Sequence, residues 1–209
     1  MYYILLALTG IITGWLINLY SGYECTGCRE YGFLTVTGYL YKSILYISVE
    51  ITMAAVFILL YIKYGFNGGY ISCCLIYLLL LAAAVVDIKK RIIPDKLVAA
   101  GIIGGIVSVF INKDMTLVNA ISGFLAAVIV LLPVSLITKG SLGMGDVKLF
   151  SCTGLFLGLW STLTALAAST ILSGLAGLVL IMMSFSNRKK SIPFAPFVFA
   201  GVTLTLLYL

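Results

Sequence analysis

The sequence predicts an all-α, polytopic membrane protein of about eight transmembrane helices with both termini outside. Three observations carry this. Of the 209 residues, 62% are hydrophobic and 10% are charged, which is too apolar for a soluble domain and typical of a chain solvated by lipid. The apolar residues fall in runs, several near the ~20 residues a helix needs to cross the hydrocarbon. The basic residues gather in alternate loops.

Taken in order, residues 1–20 form the first apolar run. It lacks a basic leading region and runs on without a clean cleavage site, so it reads as a membrane helix rather than a removed signal peptide. A loop at 21–43 precedes a second span at 44–62, and a third at 71–87 ends on Asp87. Spans at 97–111 and 147–159 are short, which suits helices that are tilted, frayed or set partly in a protein-lined cavity. Span 117–138 lies between them. From Leu149 to Phe185 no residue is charged, and this stretch must hold most of two helices; Gly158-Leu159-Trp160-Ser161 is the predicted turn. Spans at 162–185 and 193–209 complete the set.

Charge placement tests this division independently. Arg29, Lys42, Lys89, Lys90, Arg91, Lys96, Lys139, Lys148, Arg188, Lys189 and Lys190 fall in or beside the loops at 21–43, 88–96, 139–146 and 186–192. The other loops hold only Lys63 and Lys113. An eleven-to-two split follows the positive-inside rule and puts the first set of loops in the cytoplasm. The net charge of +6 is spread over short loops and does not suggest nucleic acid as a partner. The lipid bilayer is the implied one.

Only seven residues are acidic and none is histidine. The missing histidine excludes Ser-His-Asp triads, Cys-His pairs and H-E-x-x-H zinc sites. Ionisable groups at membrane helices are costly and default to a functional hypothesis. Asp87 closes the third span and Asp146 opens the sixth, so both stand at the same, cytoplasmic depth. Two close carboxylates share a proton, so one serves as base toward water and the other as acid toward a carbonyl. For Asp146 a plain helix-start role is also open, because the dipole favours a carboxylate there. Asp87, at a helix C-terminus, lacks that explanation. Glu50, about two turns into the second span, either snorkels to the interface or lines the site.

At these residues the chain resembles the type IV prepilin peptidases, GxGD-type intramembrane aspartyl proteases of bacteria. Three separated stretches carry the resemblance: Asp87 through Ile93-Pro94-Asp95, Gly143-Met144-Gly145-Asp146-Val147-Lys148, and Ile192-Pro193-Phe194-Ala195-Pro196-Phe197. Tyr46 to Glu50 is similar to the family's R-Y-x-x-V-E, with Leu45 in place of its arginine. The resemblance spans roughly 44–209, a peptidase core, and leaves 1–43 as a first helix with a shortened loop. It implies that Asp87 and Asp146 are the catalytic pair, with Asp95 the competitor for Asp87 and otherwise the N-cap of the fourth span. It implies cleavage of the basic leader from type IV prepilin or pseudopilin substrates at the cytoplasmic face of a bacterial inner membrane. Gly143 and Gly145 are expected to let a substrate strand lie close to Asp146; a tight turn would use them equally. Peptide cleavage by this pair needs no cofactor and no metal.

The chain departs from the family in its first loop. Many members carry two C-x-x-C pairs there, associated with zinc and with N-methylation of the new N-terminus, whereas this chain has one, Cys25-Thr26-Gly27-Cys28. Zinc normally takes four ligands, and Cys73, Cys74 and Cys152 lie elsewhere. A site shared across a homodimer, a redox pair and free thiols all stay open. Methylation would use S-adenosylmethionine. The rival readings are a proton-coupled transporter, a presenilin-like or signal-peptide-peptidase-like protease, and a non-enzymatic assembly scaffold. The presenilin-like group has a Tyr-Asp partner and a Pro-Ala-Leu element, where this chain has Val86-Asp87 and Pro193-Phe194-Ala195-Pro196.

Overall fold

The computed structural model describes residues 2–24, 36–137, 143–183 and 193–208. Cys25, Cys28, Arg29, Lys139, Arg188, Lys189, Lys190 and Ile192, named above, lie outside the described residues. The fold is all-helical, with α1 (Tyr2–Glu24), α2 (Val36–Tyr64), α3 (Gly68–Lys90), α4 (Asp95–Ile111), α5 (Leu117–Ile137), α6 (Met144–Met183) and α7 (Ala195–Tyr208). Five of these hold segments long and apolar enough to cross a membrane: Tyr2–Gly22, Tyr46–Tyr64, Gly68–Lys90, Leu117–Ile137 and Met144–Leu180.

The helices run past the apolar runs that predict them. α2 starts at Val36 rather than 44, and α3 begins at Gly68 rather than 71, because backbone hydrogen bonding propagates beyond the hydrophobic stretch once a helix has formed. At α3 the start is set by a cap: the Asn67 side chain accepts the Tyr70 N–H at 2.9 Å. Its end is set by Arg91, whose left-handed φ of 56° closes the last turn with an N–H bond to the Asp87 carbonyl.

α6 has 40 residues, about 60 Å of helix against about 30 Å of hydrocarbon. It breaks at Gly158, where φ 74° and ψ −178° are non-helical, within the turn read from the sequence. The N–H freed at the break, on Leu159, donates to Asn119 Oδ1 at 3.0 Å. A Cβ at Gly158 would lie 2.5 Å from Asn119 Nδ2, so both the backbone angle and the space require glycine. Before the break, α6 passes from Asp95 (against Lys148) to Val98 (against Cys152). After it, Ala165 and Ser169 pack on Gly201 of α7. Ser161 lines a cavity with Leu206 and Asn112 at the far end. The two halves of α6 therefore run in opposite directions.

α3 is the central helix. Every residue from Leu79 to Asp87 is buried, and it packs on α1, α2, α4, α6 and α7. Ala82, Ala83 and Ala84 lie within this stretch, and such small side chains let helices approach closely where lipid gives no hydrophobic drive. α1 and α2 pair antiparallel. A Cβ on Gly10 would lie 2.5 Å from the Ala54 Cα, and one on Gly14 would lie 2.7 Å from the Glu50 Cα. The same end of the bundle collects the C-terminus of α3 and the N-termini of α4, α6 and α7. That end holds the acidic residues of interest.

Candidate active site

Asp87 is buried, with 5% of its surface exposed. Its Oδ2 accepts the Ala195 N–H at 2.9 Å, and the Phe194 N–H also donates to the carboxylate. Phe194 is the residue whose carbonyl takes the first bonds of α7, from Phe197 and Val198. The two donors are thus unpaired N–H groups at a helix start, the groups that bind anions there. Asp87 stands at two helix ends at once, the C-terminus of its own helix and the N-terminus of α7. The Arg91 guanidinium also acts on it through space.

Asp146 is the third residue of α6. Its carboxylate accepts the Gly143 N–H, while its own N–H donates to the Gly143 carbonyl at 3.0 Å. An acid at this position folding back on the residue before the helix is half of a capping box. Asp146 is half-buried and lies within range of the charge of Asp87, so α3 and α6 place the two sequence-predicted carboxylates at the same end of the bundle, although 59 residues separate them.

The two glycines have separate tasks. Neither has a positive φ, so the unusual backbone angle that glycine offers is not in use. A Cβ on Gly145 would lie 3.2 Å from the Cβ of buried Ile93; Gly145 lets α6 settle on the α3–α4 connection. A Cβ on Gly143 would lie 3.2 Å from Asp146 Oδ2, and Gly143 itself is exposed.

Asp95 is not the N-cap of α4, as the sequence suggested. Pro94 holds that position without a side-chain cap bond, and Asp95 lies in the first turn. Its carboxylate pairs with Lys148 Nζ at 2.6 Å, with side chains 82% and 49% exposed. The physical reason is that the X-Pro bond already sets the extended entry geometry, leaving the acid free to meet the lysine of the neighbouring helix. Lys89 donates to Ser21 Oγ at 2.7 Å and lies 4.9 Å from the Tyr46 ring centre. Cys152 is buried and donates to the Val98 carbonyl at 3.5 Å. Among the described residues no group of three or more His, Cys, Asp or Glu could hold a metal ion.

Sequence reasoning missed the two donors at Phe194 and Ala195. The proline-flanked start of α7 was visible, but which acid would cap it was not.

A polytopic helical membrane protein with two aspartates, one buried and one half-buried, at one end of the bundle is the class these features define. The Type IV leader peptidase family matches residues 74–182, a stretch that contains both aspartates and covers more than half of the chain. The chain belongs to that family. It is 29% identical over 174 residues to a prepilin leader peptidase/N-methyltransferase of Bacillus subtilis, covering 79% of this chain and 67% of the relative. A protein of the same description from Aeromonas hydrophila is 28% identical over 145 residues, 67% of this chain and 50% of that one. One from Pseudomonas aeruginosa is 31% identical over 138 residues, 62% and 46%. The chain thus spans between about half and two thirds of the curated relatives it matches. No solved structure matches.

Proposed function

We propose that this chain is a membrane-embedded aspartyl endopeptidase that removes the leader from prepilin-like or pseudopilin-like proteins, with Asp87 and Asp146 as its catalytic pair. The observation that supports the reading is that these two carboxylates stand at one end of the bundle within range of each other's charge, one braced by the start of α7 and one by the start of α6. Family membership and the relatives' names support the substrate class.

The chemistry needs only these groups and water. One ionised carboxylate takes a proton from water as its oxygen attacks the scissile carbonyl carbon. The other, protonated, gives its proton to the carbonyl oxygen, which yields a gem-diol. Collapse of the gem-diol breaks the C–N bond, and a carboxyl proton passes to the leaving amine. The pair carries one shared proton through the cycle, so neither member is dispensable and no covalent intermediate forms. Bracing matters because both oxygens must stay aimed at a single water.

An extended substrate segment lies beside exposed Gly143, with its scissile bond at Asp146. In this reading α6 contributes two crossings, α4 and α7 complete a set of eight, and both termini lie outside a bacterial inner membrane, with the site at the cytoplasmic face. The relatives' names also carry an N-methyltransferase activity, which in this chain would act on the new N-terminus. It would use S-adenosylmethionine as methyl donor, and no residue of the described site is assigned to hold it.

The test is co-expression with a prepilin-like protein carrying a basic leader before a Gly-Phe junction. Wild type should shorten it at that junction, while Asp87→Asn and Asp146→Asn should leave it uncut and remain in the membrane fraction. Cleavage by either variant at the wild-type rate would defeat the proposal.

A further inference from the structure

Between α1 and α2, near the end of the bundle that holds the aspartates, lies a groove of about 330 Å³ lined by Trp15, Asn18, Leu19, Gly22, Tyr46 and Glu50. The mechanism above does not use it. Its floor is unusual for a membrane helix. Glu50 is half-buried and, among the described residues, has no hydrogen bond or ion pair. Asn18 is 7% exposed; its amide donates to the Tyr46 carbonyl at 3.1 Å, and its Oδ1 has no partner. An unpaired carboxylate and an orphaned amide oxygen at membrane depth are expensive unless something cationic meets them. The walls are an indole, a phenol ring and a leucine, surfaces that favour an organic cation on an apolar stem.

The rim is tied to the active site. Lys89, two residues beyond Asp87, reaches across to Ser21 and the Tyr46 ring, so Tyr46 lies level with the end of α3. Glu50 lies one helical turn, about 5–6 Å, deeper. That depth suits the stem of a lysine or arginine entering from the rim with its charge reaching the carboxylate.

We infer that this groove is a subsite for one long cationic side chain of the peptide substrate, with Glu50 as its counter-charge and Trp15 and Tyr46 as its walls. The inference rests on the peptide-cleavage reading and names a specificity contact for it. A lipid ethanolamine group has the same ammonium, but the charges here run the wrong way for it. Cationic Lys89 is at the rim and anionic Glu50 is below, whereas such a headgroup carries its phosphate nearer the hydrocarbon than its ammonium.

Binding can be read without cleavage. In Trp160→Phe protein, Trp15 is the one tryptophan left of two, so its emission reports the groove. The full chain, in nanodiscs of phosphatidylcholine and phosphatidylglycerol, is titrated with prepilin-like peptides spanning the junction. Each basic residue before the junction is replaced in turn by norleucine, which keeps the stem and removes the charge. At one position the lysine peptide should bind roughly tenfold more tightly than its norleucine twin. Glu50→Gln should bring the two within about twofold while leaving norleucine binding unchanged, and Glu50→Lys should favour a glutamate at that position. Equal lysine and norleucine binding at every position would overturn the inference. So would a Glu50→Gln loss shared equally by both peptides, or a Trp15 response that follows added ethanolamine lipid and not the peptide. Lysine-selective binding without any cleavage would instead refute the peptidase reading and leave the groove's chemistry standing.

Discussion

Replacing Asp87 should separate its role in catalysis from its role in holding α7. In wild type the carboxylate pairs two N–H groups, of Ala195 and Phe194, and Ala195 is fully buried. Asp87→Ala strands both donors, and each buried unpaired N–H costs ~1–3 kcal/mol, so the loss in stability should be ~2–6 kcal/mol. Asp87→Asn keeps one acceptor oxygen and should lose about half as much, while Asp87→Glu keeps the charge but misplaces it by a methylene. All three should abolish cleavage, since the shared proton needs a carboxyl at this point. Stability is measured by thermal unfolding in one detergent, and activity by initial cleavage rates at a temperature where each variant is folded. The expected order of midpoints is wild type, Asn, Ala, with all variants inactive. If Asp87→Ala unfolds with wild type, the start of α7 does not depend on Asp87, and the account of how the site is braced is wrong.

Three further outcomes follow from the same geometry. Asp95→Asn should retain cleavage and lose under about 1 kcal/mol of stability, because its pair with Lys148 is largely exposed; abolished cleavage in that variant, with Asp87→Asn active, would make Asp95 the catalytic residue. Gly158→Ala should cost ~1–3 kcal/mol from its positive φ and more from contact with Asn119, read as reduced yield of folded protein; a wild-type midpoint would mean the break is not sharp. Peptide cleavage should survive prolonged chelation, measured as initial rate; complete loss restored by zinc would contradict a two-carboxylate mechanism.

The break at Gly158 and the two aspartates were legible in the sequence because each is a local signal. An uncharged run too long for one crossing must turn somewhere, and a glycine beside Leu159-Trp160-Ser161 marks the place. A carboxylate at the edge of an apolar run is conspicuous in a chain with seven acids. Hydropathy and loop charge are one-dimensional properties, so they could be read before any helix had a neighbour. Boundaries were less legible, since helices extend into polar flanks such as residues 36–43 where hydrophobicity no longer reports them.

Partnerships were decided only by the tertiary structure. Nothing in Ile192-Pro193-Phe194-Ala195-Pro196-Phe197 says that its free N–H groups belong to an acid 108 positions upstream. Nor does Asp95 announce Lys148, 53 positions away, as the charge that meets it. Gly145 reads as a flexible turn until Ile93 is seen against it, and Glu50 reads as a snorkelling acid until its groove with Asn18 and Tyr46 is seen. The sequence by itself determined an all-helical membrane chain, its candidate acids and where it must turn, because lipid imposes those demands on each segment separately. Which helix end faces which side chain was settled by packing. Small residues such as Ala83, Gly145 and Gly201 set how closely particular helices approach, and that closeness is a property of pairs of segments rather than of any one of them.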